Sequence, residues 1–323
     1  MRAVEIAGGA GPAECLTLVE RPDPEAGPGQ IRIRVRAAGV NRPDLLQRQG
    51  RYPAPAGASD IPGLEVAGEI DQAGEGVTRW SVGDRVCALL GGGGYAGLAA
   101  VDARHALPIP PGVDFVQAAA LPETVCTVFA NVFEAGGLKA GETLLVHGAT
   151  SGIGVTAIQM ARAAGARVIA TSRGAEKATA ARRLGADLSL DAGGGEMESA
   201  IRDFGGADVA LDMVGANYAA LHQAVLNPLG RWVVIATQSG ALTQVDLARL
   251  MLKRIVLTGS TLRARTADEK ARLIAAVEAR AWPWVATGAV RPPVDSTFPL
   301  AQASAAHLRL EAGGHVGKIV LTV

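Results

Sequence analysis

The residues with the clearest chemical potential lie in a glycine-rich segment near the middle of the chain. Residues 144–154 read Leu-Leu-Val-His-Gly-Ala-Thr-Ser-Gly-Ile-Gly, an apolar strand that runs into a tight turn, and a helical pattern of small residues follows. A strand, a glycine turn and a helix in this order direct backbone N–H groups at a pyrophosphate. The segment therefore predicts a dinucleotide-binding unit with contacts from Gly148, Ala149, Thr150, Ser151, Gly152, Ile153 and Gly154.

The turn departs from the usual glycine fingerprint, because Ala149 and Ser151 stand where glycines are common. The alternative interpretation is that the remaining glycines only shape a tight connection between a strand and a helix. A second predicted strand at Ala166–Thr171 completes the βαβ context, and this context favours dinucleotide binding.

The end of that second strand predicts which dinucleotide binds. An NAD site places Asp or Glu there to bind the ribose 2′-hydroxyl. This chain has Thr171, Ser172 and Arg173, with Lys177 four residues further on. Hydroxyl and cationic groups suit a 2′-phosphate, so the predicted cofactor is NADPH. The alternative is that Arg173 and Lys177 form a solvated helix face, where Glu176 weakens the positive field.

Composition limits the class of protein. The 323 residues predict about two domains, and 31 basic residues balance 31 acidic ones. Neither nucleic acid nor an anionic membrane is an expected partner, because the chain has no basic run. The distant cysteines Cys15, Cys87 and Cys126 favour a reducing compartment. No signal-peptide core and no apolar stretch approaching about 20 residues is evident, so we expect a cytoplasmic protein.

The predicted secondary structure divides the chain into two regions. Short strands broken by Gly and Pro dominate residues 1–122, and in Gln30–Ala38 three aliphatic residues alternate with arginines. From residue 123 strands and helices alternate, which is typical of a doubly wound parallel sheet. The prediction is an α/β protein with a β-rich domain at 1–122 and 263–323 and a cofactor domain at 123–262. The six cofactor-domain strands are predicted at Thr143–His147, Arg167–Thr171, Leu188–Leu190, Asp208–Val214, Arg231–Ala236 and Ile255–Gly259.

Six further segments accompany the glycine turn: Ala38-Gly-Val-Asn-Arg-Pro-Asp44, Gln47–Tyr52, Pro62-Gly-Leu-Glu65, Val82-Gly-Asp-Arg-Val86, Ala118–Glu123 and Gly314-His-Val-Gly-Lys318. With these segments the chain resembles the medium-chain dehydrogenase/reductase superfamily, in its zinc-independent quinone oxidoreductase branch. The resemblance implies a GroES-like β-rich catalytic domain, a Rossmann domain, and hydride transfer from NADPH to a small-molecule electrophile such as a quinone.

The same resemblance marks what is missing. Zinc-dependent members carry a ligand cysteine at the position of Asn41 and a ligand histidine at that of Leu64. Asp44 and Glu65 remain, but two carboxylates without a softer ligand make a poor zinc site. The sequence therefore predicts no metal.

Without zinc, a hydrogen-bond donor must stabilise the charge that develops on the reduced acceptor. The candidate catalytic residues are Tyr52, Asn41 and Ser151; the less favoured alternative for Tyr52 is a packed aromatic in a Gly/Pro loop. Ala192 replaces a tyrosine that family members often place near the adenosine. Further cofactor contacts implied by position are Thr127, Val214, Gly215, Thr237, Leu262, Arg263, Arg265 and Lys318, and for each arginine a surface charge is an equal alternative.

The sequence predicts a homodimer. Strand 255–259 is apolar and is expected at the edge of the sheet, where it would pair with the same strand of a second copy across a twofold axis.

Three functions are compatible with these features. The first is quinone reduction with NADPH, the second is reduction of an enone or enoyl substrate, and the third is a non-catalytic NADPH-binding structural or RNA-binding role. The neutral charge disfavours RNA.

Overall fold

The computed structural model describes every residue from Met1 to Val323 and separates the chain into two compact units. Unit 1 contains residues 1–126, 262–286 and 292–323, and unit 2 contains residues 127–261 and 287–291. The sequence placed the boundaries after residues 122 and 262 and gave no sign of the short return at 287–291.

Fifteen strands form the sheets of the two units. They are β1 (Arg2–Ile6), β2 (Leu16–Glu20), β3 (Gln30–Val40), β4 (Glu65–Ala73), β5 (Arg85–Leu89), β6 (Leu98–Asp102), β7 (Ala106–Pro108), β8 (Thr143–His147), β9 (Arg167–Ser172), β10 (Leu188–Asp191), β11 (Ala207–Asp212), β12 (Leu226–Val234), β13 (Val256–Gly259), β14 (Val294–Pro299) and β15 (Lys318–Thr322).

Eleven α-helices accompany the strands. They are α1 (Arg42–Arg48), α2 (Phe115–Ala118), α3 (Pro122–Val128), α4 (Gly152–Ala163), α5 (Ala175–Arg183), α6 (Met197–Asp203), α7 (Ala219–Val225), α8 (Leu247–Lys253), α9 (Ala267–Arg280), α10 (Trp282–Ala286) and α11 (Ala303–Ala312). A π-helix at Phe129–Ala135 continues α3, and short 3₁₀ turns lie at Ala13–Cys15, Ala103–His105, Ala216–Tyr218 and Leu300–Gln302.

Unit 1 is built on a seven-stranded sheet in the order β14-β15-β3-β4-β5-β7, with β6 also paired to β3, and on the separate hairpin β1-β2. The alternation predicted in β3 is present: Ile31, Ile33 and Val35 lie in the core, while the intervening arginines pair with carboxylates of β4. The arginine face is therefore a solvated, ion-paired face. The last strand, β15, pairs antiparallel with β3 and so joins the end of the chain to this sheet.

Unit 2 contains a six-stranded parallel sheet in the order β10-β9-β8-β11-β12-β13. This arrangement confirms the predicted α/β class. The strand order reverses between β8 and β11, which is where ligands bind in open parallel sheets. The main difference from the predicted elements is the early, irregular start of β12 at Leu226, since the strand was predicted to begin at Arg231.

One helical segment bears on the membrane prediction. Phe115–Ala135 is 21 residues long with a mean hydropathy of 1.2 in its most apolar window, so it could cross a membrane by length and composition alone. The expectation that no apolar stretch approaches about 20 residues is therefore wrong for this segment. Because 78% of that window is buried inside the protein, the segment also fits the core helix of a globular protein.

Candidate cofactor site and candidate active site

The glycine turn of unit 2 connects β8 to α4 as the sequence predicted. Gly148 has φ +63°, a conformation that favours glycine, and a Cβ on Gly154 would lie 2.3 Å from the Gly148 oxygen. The Ser151 hydroxyl accepts the Gly154 N–H at 3.0 Å and so caps α4. Ala149 donates its N–H to the Thr171 oxygen of the next strand at 3.0 Å. The turn is therefore a close-packed cradle ahead of a helix N-terminus, which fits a pyrophosphate.

The end of β9 carries the groups predicted to select the cofactor. Ser172 is 5% exposed, and its buried hydroxyl has no hydrogen-bond partner. Arg173 is exposed, Lys177 is half-buried, and no carboxylate ends this strand. A buried hydroxyl without a partner beside an exposed guanidinium is an arrangement that fits a phosphate. Asp191 closes the neighbouring loop by accepting the Gly174 N–H at 2.9 Å.

The loop after β11 is held by its own carboxylate. Asp212 accepts the N–H groups of Val214 and Gly215 at 2.8 and 2.9 Å, and Gly215 has φ +87°. A Cβ on Gly215 would lie 2.9 Å from the Thr237 Cα, so the two loops predicted to contact the cofactor pack directly against one another. Thr237 itself is exposed. Since both loops follow strands of the parallel sheet, they lie at its carboxyl edge.

In unit 1, Asn41 lies in a buried polar cluster rather than presenting a free amide. Its Nδ2 donates to Glu65 Oε1 at 2.9 Å, and its Oδ1 accepts from Lys318 Nζ at 2.5 Å. Lys318 Nζ also lies 2.7 Å from Glu65 Oε1 and donates to the Val40 oxygen at 3.2 Å. The amide of Asn41 and the ammonium of Lys318 are therefore engaged within unit 1, so these contacts favour a structural role for both residues.

A second buried cluster surrounds Asp44. This carboxylate accepts the N–H groups of Asn41 and Gly63 at 2.7 and 3.1 Å and lies 3.3 Å from the Tyr95 hydroxyl. The Tyr95 oxygen lies 3.1 Å from His307 Nε2. Burial raises the pKa of Asp44 to about 6, although its two N–H donors act in the opposite direction. The sequence did not bring these residues together, because Tyr95 and His307 are distant along the chain.

Tyr52 is half-buried and anchored through Arg263. The Arg263 guanidinium donates to the Gly91, Tyr52 and Gln47 oxygens at 2.9, 3.3 and 2.7 Å and lies 5.4 Å from the Tyr52 ring centre. Burial raises the pKa of the Tyr52 phenol above its ordinary value, and Arg263 partly opposes this. The predicted cofactor contact Arg263 is thus a clamp on the Tyr52 loop. The phenol remains the best-placed hydrogen-bond donor among the three candidates.

The remaining predicted contacts occupy varied environments. Thr127 and Leu262 are buried, Arg265 is half-buried, and Ala192 follows β10 with its N–H bonded to the Ser172 oxygen at 2.8 Å. Unit 2 also contains a buried polar row that was not predicted, formed by Thr171, His147, His222 and Asp212. Three of these residues end adjacent strands, so the strand pattern could have placed them together.

Two protein-family models match the chain. The model of the zinc-binding dehydrogenase family matches residues 152–279, and that of the alcohol dehydrogenase GroES-like domain matches residues 27–111. A quinone oxidoreductase of Pseudomonas aeruginosa is 33% identical over 99% of each chain. A spectinabilin polyketide synthase protein of Streptomyces orinoci is 35% identical over 98% of this chain, which corresponds to 14% of that protein.

Solved structures of oxidoreductases share the fold of this chain. The Escherichia coli quinone oxidoreductase complexed with NADPH is 27% identical, with a TM-score of 0.88 over 100% of both chains. An NAD-dependent alcohol dehydrogenase is 29% identical, with the same TM-score of 0.88 and the same full coverage. A GroES-like unit and a Rossmann unit with a glycine turn define a dinucleotide-dependent oxidoreductase. The chain belongs to the medium-chain dehydrogenase/reductase superfamily, whose members use NAD(P)H.

The family model raises the question of zinc, and the residues in unit 1 do not fit this ion. Glu65 and Asn41 are both bonded to the Lys318 ammonium, and the adjacent Leu64 offers no ligand atom. No group of three or more His, Cys, Asp or Glu side chains in the chain is arranged to hold a metal ion. A zinc site needs at least three such protein ligands.

Proposed function

We propose that this protein is an NADPH-dependent quinone oxidoreductase that works without zinc. The observation that carries the proposal is the end of β9, where the unpartnered buried hydroxyl of Ser172 and the guanidinium of Arg173 replace the carboxylate of an NAD site. The full-length similarity to a quinone oxidoreductase supports the acceptor class.

The residues proposed to hold the pyrophosphate are those of the turn from Gly148 to Gly154, since their N–H groups and the N-terminus of α4 favour negative charge. Ser172, Arg173 and Lys177 would bind the 2′-phosphate, and Val214, Gly215 and Thr237 would contact the nucleoside. Bound NADPH supplies a hydride. Orientation of the acceptor beside it accounts for much of the expected acceleration.

A quinone suits the donor set of this chain. Reduction of a quinone leaves charge delocalised over an aromatic phenolate, so a single hydrogen-bond donor can stabilise it where an alkoxide would need a Lewis acid. Tyr52 is assigned this role, because the Asn41 amide donates to Glu65, and the Ser151 hydroxyl accepts the Gly154 N–H and donates its own hydrogen to Met213 Sδ. Arg263 holds the Tyr52 loop in place through its bonds to Tyr52 and Gly91.

The test is a steady-state assay with NADPH and a panel of ortho- and para-quinones, made before and after dialysis against a strong chelator. We expect turnover with quinones, an unchanged rate after chelation, and no stoichiometric zinc by mass spectrometry. Loss of activity on chelation that zinc restores would contradict zinc independence. Binding of NADPH without turnover of any acceptor would instead favour the non-catalytic role.

The second candidate is reduction of an enone or enoyl substrate. The similarity of this chain to a stretch of a polyketide synthase protein favours it. The same donor would stabilise an enolate, so the residues alone do not separate the two substrates. Alkenals and enoyl thioesters in the same panel distinguish them, and a kcat/KM for these substrates above that for every quinone would reverse the order of the candidates.

We also propose a homodimer formed through β13. This strand is an edge of the sheet, paired only with β12, and Val256 and Leu257 are 54% and 40% exposed. Met251 and Leu252 of the preceding helix are 67% and 77% exposed, so apolar surface adjoins unpaired backbone groups. A second copy that adds its β13 across a twofold axis would cover both the apolar surface and the unpaired backbone groups.

We further propose a cytoplasmic location, which is supported by three cysteines without a disulfide.

A further inference from the structure

The loop after β11 presents an aromatic ring, that of Tyr218, at the carboxyl edge of the sheet in unit 2. The 3₁₀ turn Ala216–Tyr218 follows Gly215, and the Tyr218 N–H donates to the Gly215 oxygen at 3.0 Å. The side chain is half-buried, and its ring centre lies 4.4 Å from that of His147, the last residue of β8. One part of the ring therefore packs against the protein, and the remainder is open to solvent.

This ring lies where three neighbouring strands end. β8 pairs in parallel with β9 on one side and with β11 on the other, so the loops after all three strands meet at one edge. The His147 side chain that Tyr218 packs against also contacts β9, since its Nδ1 lies 2.7 Å from Thr171 Oγ1. Burial raises the pKa of the Tyr218 phenol, and Arg173, which directly follows β9, acts in the opposite direction. Tyr218 is thus close enough to the end of β9 to interact with the charge of Arg173.

The covalent structure of a 2′-phosphorylated dinucleotide restricts where its adenine can lie. In the proposed function the turn from Gly148 to Gly154 holds the pyrophosphate, and Ser172 and Arg173 hold the 2′-phosphate. One ribose carries both groups, the pyrophosphate on its 5′ carbon and the phosphate on its 2′ carbon. Adenine is attached to the carbon next to the 2′ carbon. The base therefore lies within one sugar of the loops after β8 and β9, and Tyr218 lies between these loops and β11.

The other aromatic rings of unit 2 are not available at this edge. Phe129, Phe133 and Trp232 are buried, with 1%, 7% and 2% of their surface exposed. Phe204 is half-buried, but its ring packs against the guanidinium at the start of β9, which is the opposite edge of the sheet. The Tyr218 ring is therefore the one accessible aromatic surface beside the loops that are proposed to hold the cofactor.

We propose that Tyr218 is a cofactor-binding residue, on whose ring the adenine of the dinucleotide stacks. A stack removes apolar surface of the ring and of the base from water, and it needs no particular hydrogen-bond partner. It also fixes the orientation of the base relative to its ribose, so the 2′-phosphate on the same ribose is held toward Ser172 and Arg173. The inference rests on the proposed binding of NADPH.

The role of Tyr218 differs from that of the residues after β9 in one measurable way. NADPH and NADH contain the same adenine, so a stack on Tyr218 contributes to the affinity for both cofactors. Ser172 and Arg173 face the 2′ position, where the two cofactors differ. Loss of the Tyr218 ring should therefore lower the affinity for both cofactors and leave the preference for NADPH unchanged.

Calorimetric titration with NADPH, NADH and adenosine 2′,5′-bisphosphate tests this proposal. Tyr218→Leu removes the ring but keeps an apolar side chain over His147, and it should weaken binding of all three ligands by about 10- to 100-fold. Tyr218→Phe keeps the ring and should bind each ligand as the wild type does. Phe204→Leu removes a half-buried ring at the opposite edge of unit 2 and is the matched control, which should leave the three dissociation constants unchanged. Reduced nicotinamide mononucleotide, which has no adenine, should bind equally to the wild type and Tyr218→Leu.

Saturation-transfer NMR measures the contact itself. In protein that is deuterated except at its tyrosine rings, saturation of the ring protons should pass to H2 and H8 of the adenine of bound NADP⁺. Because the chain has three tyrosines, loss of this transfer in Tyr218→Leu assigns it to one ring.

Two results on adenine ligands would overturn the inference: equal dissociation constants in the wild type and Tyr218→Leu, or no saturation transfer to adenine in the wild type. An equal loss of affinity in Tyr218→Phe, or weaker binding of the mononucleotide to Tyr218→Leu, also overturns it, because the effect would then not belong to a stack on adenine. A wild type that binds NADPH while Tyr218→Leu binds it equally well contradicts this inference alone. A wild type that binds neither NADPH nor NADH contradicts the proposed function as well.

Discussion

Lys318 Nζ lies 2.7 Å from Glu65 Oε1, and both side chains are buried within unit 1. Both members of the pair make further hydrogen bonds. Glu65 accepts from Asn41 Nδ2 and from the Glu123 N–H at 2.9 Å each, and Lys318 donates to the Val40 oxygen. An ammonium therefore neutralises the carboxylate at the place where the superfamily resemblance implies a metal in zinc-dependent members.

Removal of one partner should be costly, since it leaves the other charge buried and unpaired. We expect Lys318→Met or Glu65→Gln to lower the free energy of unfolding by about 3–5 kcal/mol, measured by urea denaturation. The double variant should lose less than the sum of the two single changes. Arg36→Met, which breaks an exposed ion pair with Glu69, is the control and should have little effect. Additive losses would show that the two charges do not depend on each other.

Tyr52 is predicted to be the hydrogen-bond donor of the reaction. Tyr52→Phe keeps the ring beside Arg263 and removes only the hydroxyl, so kcat for quinones should fall by at least about tenfold with the Kd for NADPH unchanged. Stopped-flow measurement of NADPH oxidation separates the chemical step from product release. Tyr52→Leu tests the ring itself and should in addition raise KM. An unchanged kcat in Tyr52→Phe removes this residue from the donor role.

Arg173 is predicted to select NADPH over NADH. Arg173→Ala should weaken NADPH binding by about 10- to 100-fold, which corresponds to one charge-assisted hydrogen bond, and leave NADH binding almost unchanged. Cofactor fluorescence gives both dissociation constants. Arg182→Ala, an exposed change in the last turn of α5, is the matched control. An equal loss of affinity for both cofactors would place Arg173 at a group that they share.

The cofactor unit could be predicted from the sequence with good accuracy, because its signals are local. The strand predicted at Thr143–His147 coincides with β8, and the turn that follows adopts the expected geometry. In unit 1 the short strands β6 and β7 and the late strand β14 have few residues and weak alternation. Their pairing partners depend on the tertiary fold, so the alternation of residue types alone does not define these strands.

The candidate active site was predicted less completely, for a physical reason. Residue type identified Asn41, Tyr52 and Arg263, but only the structure shows which polar groups are already satisfied. Arg263 carries no sequence signal that would distinguish a clamp on the Tyr52 loop from a cofactor contact. Predicted strand ends could have placed Thr171, His147 and Asp212 near one another, but the contact of His222 with them depends on how α7 packs, which the sequence pattern does not specify.

The dimer proposal predicts that charge on β13 or α8 separates the subunits. Leu257→Arg should convert the protein from a dimer to a monomer at micromolar concentration, measured by light scattering after size-exclusion chromatography. Leu308→Arg introduces the same charge at a 46% exposed position of unit 1 and should leave the mass unchanged. A wild type that is monomeric in this assay contradicts the proposal directly.

The buried His307 is expected to make the free energy of unfolding depend on pH. Its side chain is 0% exposed, and burial, with a smaller effect of Arg48, lowers its pKa to about 3. The folded pKa lies below the unfolded value of about 6.5, so the contribution of the neutral histidine is complete above pH 6.5 and is lost as pH falls toward 3, at up to about 1.4 kcal/mol per unit.

His307→Gln removes the titrating group and should therefore flatten this part of the pH profile. Urea denaturation at pH 7, 5 and 4 should show the variant less stable than the wild type at pH 7, with the difference shrinking as pH falls. Tyr95→Phe is the control, because it removes the 3.1 Å contact with His307 Nε2 but leaves the histidine buried. This variant should retain the wild-type slope. A constant difference between wild type and His307→Gln would mean that the histidine has the same pKa in the folded and unfolded states.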